Sequence, residues 1–281
     1  MENDAGILLR IHAAYNQLTK AEKKVATYVL EHTQEVLYMS ITDLADACDV
    51  GETSVYRFCR TMKLDGYQEF KMQLSLSLAA RQQMETGVDS AQTDDMADCV
   101  LKLSMKAIQE TYLLLDREAI NHVVGLIESA RNVYFFGVGD SLLMAEEARN
   151  KFLRVTGKVQ CIADPHLQSM AASLLSGDDL VFIFSYSGAT KDSIHVAKQA
   201  KNAGAKIVCI THFMKSPLTA MTDEVLLCGA KESPLDGGSM AVKMGQLFLI
   251  DLLYQQYYKQ NLALAKENKE KTSKSVVEKL Y

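Results

Sequence analysis

Within six residues, Ser185-Tyr-Ser187-Gly188-Ala-Thr190 sets three hydroxyls from Ser and Thr beside a glycine. The apolar run Leu180-Val-Phe-Ile-Phe184 before it has the length of a buried strand, and Ile194, Val196, Ala197, Ala200 and Ala203 after it recur at helical spacing up to Gly204. The pattern predicts a turn joining the carboxyl end of a strand to the amino end of a helix. Free N–H groups and the positive end of a helix dipole favour a phosphate or carboxylate there. The hydroxyls add donors, and Gly188 lets the backbone approach an anion closely. The same residues also suit a capped turn with no ligand, because Ser and Thr are common N-caps.

A second such turn follows an earlier strand. The carboxyl-terminal two thirds reads as helices over Ala97 to Leu115 and Arg117 to Ala130, then strands alternating with helices. The predicted strands are Val133 to Phe136, Val159 to Ala163, Leu180 to Phe184, Lys206 to Thr211 and Val225 to Cys228, before a long helix from Met240 to Lys259. Five short apolar strands separated by helices specify a doubly wound, mainly parallel α/β sheet, which binds ligands at the strands' carboxyl ends. Gly137-x-Gly139-x-Ser141 sits at that edge. It fails as a dinucleotide fingerprint, because the third glycine is replaced by Leu142 and no acidic residue ends the next strand in a suitable place. As a second phosphate or sugar loop beside Ser185 to Thr190 it fits.

The amino-terminal third is all helical and carries a different chemistry. Thr19-x-x-Glu22 is a capping box heading a helix to about His32, and Ser40-x-x-Asp43 heads a second, with Leu44, Ala45 and Cys48 on one face. After Asp49-Val50-Gly51 comes Glu52 to Lys63, so two short helices are joined by a tight turn, the helix-turn-helix pattern. Ala45 is small where the helices cross, Val55 is the branched residue that locks them, and Asp49 stands where glycine is usual. Val55, Phe58, Cys59 and Met62 form an inward stripe. Opposite it stand the candidate DNA contacts Thr53, Ser54, Tyr56, Arg57, Arg60 and Lys63. Arginine can pair bidentately with guanine in the major groove, and hydroxyls can reach phosphates. Through Glu85 there are nine Lys or Arg against twelve Asp or Glu, so affinity for double-stranded operator DNA must come from a local patch doubled by a homodimer. Leu64 to Lys71 leads into a further helix to about Ala80. The aperiodic stretch 81–96 reads as a linker between a DNA-binding domain at 1–80 and an α/β domain at 97–281.

Composition sets the remaining bounds. The 48% hydrophobic and 23% charged residues suit a globular protein, and no apolar run approaches the roughly 20 residues of a membrane span. The amino terminus is acidic where a signal peptide is basic, which places the chain in the cytoplasm. The six cysteines lack any C-x-x-C pair and read as reduced thiols, and the histidines lack metal spacing, so neither a metal nor a cofactor is expected. The Lys-rich end, Lys259 to Tyr281, reads as a charged helix packing on a neighbouring subunit.

The two glycine- and hydroxyl-bearing loops and their sheet resemble the sugar isomerase (SIS) domain. Leu18-Thr-x-Ala-Glu-x-x-Val-Ala26, Val55-x-Arg57-Phe-Cys-Arg60, Gly66-Tyr-x-Glu-Phe-Lys71, Glu232-Ser233-Pro234 and Gln246-x-x-x-Ile250-Asp251 are similar to the RpiR/MurR family of bacterial transcription regulators. The resemblance covers nearly the whole chain. It implies a dimer or tetramer, most often a repressor, whose SIS domains bind a phosphosugar effector that controls DNA binding. By the same resemblance Ser141, Ser185, Ser187, Gly188 and Thr190 hold the phosphate. Where many members have Ser-Arg, this chain has Val242-Lys243. Lys243, Glu232 and His166, behind Asp164-Pro165, are further ligand candidates, His166 equally as a solvent-facing helix-start residue. The whole-sequence likeness points to an amino sugar phosphate, such as N-acetylmannosamine 6-phosphate or glucosamine 6-phosphate, and to control of sialic acid or amino sugar catabolism. The alternative is an isomerase or lyase using Glu232, His166 or Lys243 as a base.

Overall fold

The computed structural model of the protein describes residues 6–85, 95–232, 235 and 237–277, for 80–85 the backbone only. Ser233 and Pro234, residues 86–94 of the stretch read as linker, and Leu280 lie outside them. The chain forms two compact units, Met1–Val100 with Lys231–Ser239, and Leu101–Ala230 with Met240–Tyr281.

The first unit is helical: α1 (Ile7–Ala14), α2 (Lys20–Glu31), α3 (Thr33–Val36), α4 (Ile41–Ala47), α5 (Glu52–Thr61) and α6 (Tyr67–Glu85). Both predicted capping boxes form, Thr19 with Glu22 and Ser40 with Asp43. The α4–α5 turn is a Schellman turn: Val50 N–H reaches the Ala45 carbonyl at 3.0 Å, and Asp49 takes φ +49°, the conformation for which glycine is usual. Ala45, Val55, Phe58, Cys59 and Met62 are buried, with Phe70 and Leu74 from α6 against them. One expectation changes: helix α6 continues to Glu85, into the stretch read as linker. α1 precedes the elements read from the sequence.

α7 (Met96–Leu113) passes from the first unit into the second, which continues with α8 (Arg117–Ser129), β1 (Asn132–Phe136), α9 (Asp140–Leu153), β2 (Val159–Cys161), α10 (Pro165–Ser173), β3 (Asp179–Phe184), α11 (Lys191–Asn202), β4 (Lys206–Thr211), β5 (Glu224–Leu227), α12 (Met240–Gln260) and α13 (Leu262–Val277). The five strands are all parallel, in the order β2-β1-β3-β4-β5. β3 is buried along its whole length, as a central parallel strand must be. Its alternate residues serve two cores: Leu180, Phe182 and Phe184 pack towards α8, α9 and α12, while Val181 and Ile183 pack towards α10 and α11. β2 stops at Cys161, two residues short of the predicted end, and β5 starts and stops one residue earlier than expected. α13 docks on its own chain, with Ala265 buried, Asn268 Nδ2 donating to the Val155 carbonyl at 2.9 Å and Thr272 Oγ1 to that of Arg154 at 3.1 Å. Leu262 and Leu264 on the same helix are exposed.

Candidate functional site

The strand order reverses between β1 and β3, whose pairing runs from Asn132↔Asp179 to Phe136↔Ile183. The chain leaves β1 towards α9 and β3 towards α11, so the two predicted loops open side by side at the sheet's switch point, where a crevice forms. Two helix amino ends, Asp140 of α9 and Lys191 of α11, stand at the same edge.

Ser185 follows β3 and donates its N–H to the Ile210 carbonyl at 3.1 Å, which fixes the backbone to β4. Its side chain is 2% exposed, and the buried Oγ has no hydrogen-bond partner among the described residues. An unmatched buried hydroxyl costs about 1–3 kcal/mol, a cost that an arriving acceptor or donor removes. Ser187 Oγ accepts the Ala189 N–H at 3.2 Å. Thr190 is exposed at the N-cap of α11 and makes no side-chain capping bond, unlike the Thr and Ser caps of the first unit. Gly188 has φ +59°, and a Cβ there would stand 2.1 Å from Ser216 Oγ and 2.6 Å from Ser216 Cβ. Its N–H donates to the Ser185 carbonyl at 3.2 Å and its carbonyl accepts the Leu218 N–H at 3.0 Å. The turn is therefore held from behind by its own backbone and by the Ser216 segment. The Tyr186 carbonyl accepts Thr211 Oγ1 at 2.9 Å and the His212 N–H at 3.1 Å, and the Tyr186 ring stacks on His212.

At the neighbouring loop, a Cβ on Gly137 would lie 2.5 Å from the Ser141 carbonyl oxygen, so the first turn of α9 closes over a bare backbone. Gly139, with φ +60°, is the N-cap, and Ser141 is half-buried in the first turn of α9. Gln168 of α10, 1% exposed, donates its Nε2 to the carbonyls of Gly137 at 2.9 Å and Ile162 at 2.7 Å, tying the ends of β1 and β2 together. Lys243 reaches from α12 to the head of α9, with Nζ 3.4 Å from Asp140 Oδ1 and a side chain 20% exposed. A phosphate between the loops would compete with Asp140 for that ammonium.

The structure thus gathers Ser141, Ser185, Ser187, Gly188, Thr190 and Lys243 around the β1–β3 edge. His166 is exposed in the first turn of α10, beyond the Asp164 cap that accepts the Leu167 N–H at 2.9 Å. It stands beyond β2, one strand along from β1. Glu232 belongs to the first unit, where its Oε1 accepts the Ser239 N–H at 3.3 Å. Sequence reading missed Gln168 and Ser216, whose partners lie 31 and 28 residues away in the chain. Ser216-x-x-Thr219 carries a local signal, since its hydroxyls and N–H groups bond reciprocally at 2.8 and 3.2 Å.

The first unit presents the other candidate face. Thr53, Tyr56, Arg57, Arg60 and Lys63 are exposed, and Ser54 is half-buried. Arg60 is committed at the end of α5, its Nη1 donating to Asp65 Oδ1 at 2.6 Å. α5 stops at Thr61, so Lys63 leaves the helical face and adopts φ +58° in a second Schellman turn, with Leu64 N–H on the Cys59 carbonyl at 3.0 Å. Glu22 accepts Thr61 Oγ1 at 2.6 Å and pins α2 to α5. Burial works to raise the Glu22 carboxyl, but hydrogen bonds from Thr61 and Thr19 and the charge of Arg57 hold it below its ordinary value.

Comparison with known proteins identifies both domains. Residues 5–81 match the helix-turn-helix domain of the rpiR family, and residues 126–256 match the SIS domain. An uncharacterized HTH-type transcriptional regulator of Haemophilus influenzae is 34% identical over 99% of both chains. The HTH-type transcriptional regulator HexR of Pseudomonas aeruginosa is 33% identical over 88% of this chain and 87% of its own. The solved structure of the Vibrio vulnificus NanR protein complexed with ManNAc-6P is 31% identical, with a TM-score of 0.89, over 98% of this chain and 99% of that one. These relatives set aside the isomerase or lyase alternative: the chain is a transcriptional regulator with a helix-turn-helix and a SIS domain, and it belongs to the RpiR family.

Proposed function

We propose that the chain is a cytoplasmic repressor of amino sugar catabolism genes, sialic acid catabolism included, and that its effector is N-acetylmannosamine 6-phosphate. The observation that carries this is the full-length likeness to a protein solved with that sugar phosphate, together with the unpartnered Ser185 hydroxyl at the switch point. Ser141, Ser185, Ser187 and Thr190 hold the phosphate with the turn's N–H groups, and Lys243 supplies the positive charge. His166 contacts the sugar's polar substituents.

The regulator works as a homodimer or a tetramer, so that two α5 helices read half-sites about 34 Å apart. An exposed apolar face on α7, including Leu101, Met105 and Tyr112, supports a self-association surface. Linkage supplies the switch: an effector that binds one arrangement of the dimer better lowers operator affinity by the factor by which operator lowers effector affinity.

The test combines a thermal-shift series with operator binding. N-acetylmannosamine 6-phosphate should raise the melting temperature more than glucosamine 6-phosphate or inorganic phosphate, and should release the protein from its own upstream DNA. Equal shifts with all three would remove the sugar assignment. Tighter DNA binding with the effector would reverse the sign of regulation.

A further inference from the structure

The first unit is acidic overall, and the cations of its α1–α6 stretch whose side chains are described divide into two groups. Four are engaged within the fold. Arg10 donates to the Met62 carbonyl, Lys24 Nζ binds Asp49 Oδ2 at 2.8 Å and the Asp49 carbonyl at 3.1 Å, and Arg60 binds Asp65. The buried Lys71 donates to the carbonyls of Leu37 at 3.0 Å and Met39 at 3.1 Å. Among the described residues, Lys20, Lys23, Arg57 and Lys63 make neither a hydrogen bond nor an ion pair with the protein. Arg57 and Lys63 belong to α5 and the turn that follows it. Lys20 and Lys23 belong to α2, outside the helix-turn-helix read from the sequence.

The placement of α2 is fixed by two ties. Lys24 grips the α4–α5 turn at Asp49, and Glu22 accepts from Thr61 at the far end of α5. Val25, Ala26 and Val29 face the core. On a helical wheel Lys20 lies opposite that buried stripe and is exposed, while Lys23 lies at the stripe's flank and is half-buried. They border a shallow groove of about 450 Å³ with Tyr15, Lys24, Thr27 and one carboxylate, Glu31. Lys23 Nζ stands 5.9 Å from the centre of the Tyr15 ring, and the Tyr15 hydroxyl is 2.7 Å from Thr27 Oγ1. Lys23 thus holds its ammonium with part of its side-chain freedom already restricted, and the groove's three lysines outnumber its one carboxylate.

We propose that Lys20 and Lys23 form a second contact with double-stranded DNA, made to the sugar-phosphate backbone beside the groove that α5 reads. The proposal rests on the DNA-binding reading of α5. Charge complementarity selects the occupant: in an acidic unit, two of the four disengaged cations stand together on this helix, and lysine binds phosphate as a point charge without reading base sequence. α5 then specifies sequence, and α2 adds affinity and fixes register.

The experiment measures duplex binding by the full-length protein across a salt series for wild type, Lys20→Gln/Lys23→Gln and Arg57→Ala. Each neutralised phosphate contributes about 0.9 to the slope of log K against log salt, so for each DNA-binding domain engaged the double variant should lose about 1.8 from the slope and about 30-fold in affinity at 0.15 M salt. The loss should be equal on operator and on random-sequence duplex, whereas Arg57→Ala should reduce the discrimination between them. A Lys20→Arg/Lys23→Arg variant should restore the slope. A double Gln variant that melts like wild type and keeps its slope and affinity would overturn the α2 contact while leaving α5's role intact. So would a loss confined to the operator. A wild-type protein that binds no duplex at any salt would overturn the reading beneath it.

Discussion

Gly188 is the residue on which the phosphate turn depends most directly. Its left-handed φ and the 2.1 Å approach that a Cβ would make to Ser216 Oγ leave no room for a side chain. Gly188→Ala is expected to destabilise the second unit by about 1–3 kcal/mol and to abolish the effector's thermal shift, read by calorimetry with and without sugar phosphate. Ser185→Ala removes a buried hydroxyl that has no protein partner. It should leave the effector-free melting temperature unchanged or raised, while weakening effector binding about tenfold by titration calorimetry. That opposite sign separates a binding hydroxyl from a structural one. Lys71 behaves differently again. Burial pushes its ammonium down to about 8, against the opposing charge of Asp43. Its folded value lies below the ordinary 10.5, so between those pH values the unfolded chain holds more protons and stability rises with pH. Relative to Lys71→Met, the wild type should gain up to about 1.4 kcal/mol per pH unit across that window and nothing below it, as read from urea unfolding.

At the scale of elements, the capping boxes of α2 and α4 were legible because each is closed within four residues, and so were the inward stripe of α5 and the left-handed Asp49. The parallel strands were legible as apolar runs, since buried parallel strands need no alternation. What sequence did not show is long-range or unpatterned. Gln168 bridges β1 and β2 and Ser216 walls the Gly188 turn through partners that only the folded sheet brings near. The end of α6 is polar and carries no stripe, so it read as a linker. α3 has a single turn, too short for periodicity, and is recognisable only through Tyr67 and Lys71, which donate to the carbonyls that follow it. Glu22 shows how one side chain can join two elements: it closes the α2 box and accepts from Thr61 of α5. Thr19→Ala should therefore cost about 1 kcal/mol, the ordinary value of a cap, and Glu22→Ala about twice that, because it also releases α5. Equal losses in urea unfolding would mean that the tie to α5 contributes nothing.

At the scale of the molecule, the two units are joined by more than the expected linker. Lys231–Ser239 lies between β5 and α12 in sequence yet belongs to the first unit, and Lys231 Nζ stands 5.8 Å from the Tyr38 ring. A fragment ending at Val100 should melt several degrees below the same unit in the full chain, by circular dichroism, since it lacks that segment. The crossing at Ala230 is held at φ +71°, a strained value for a residue with a Cβ, by the Tyr186 hydroxyl on its carbonyl at 3.3 Å and Glu110 Oε2 on its N–H at 3.0 Å. The chain crosses between the units three times, at 100–101, 230–231 and 239–240. Gene fusion at a single junction cannot transplant this sensor onto another regulator's DNA-reading head. A working chimera would have to carry the nine-residue strap from the same parent as the head it serves.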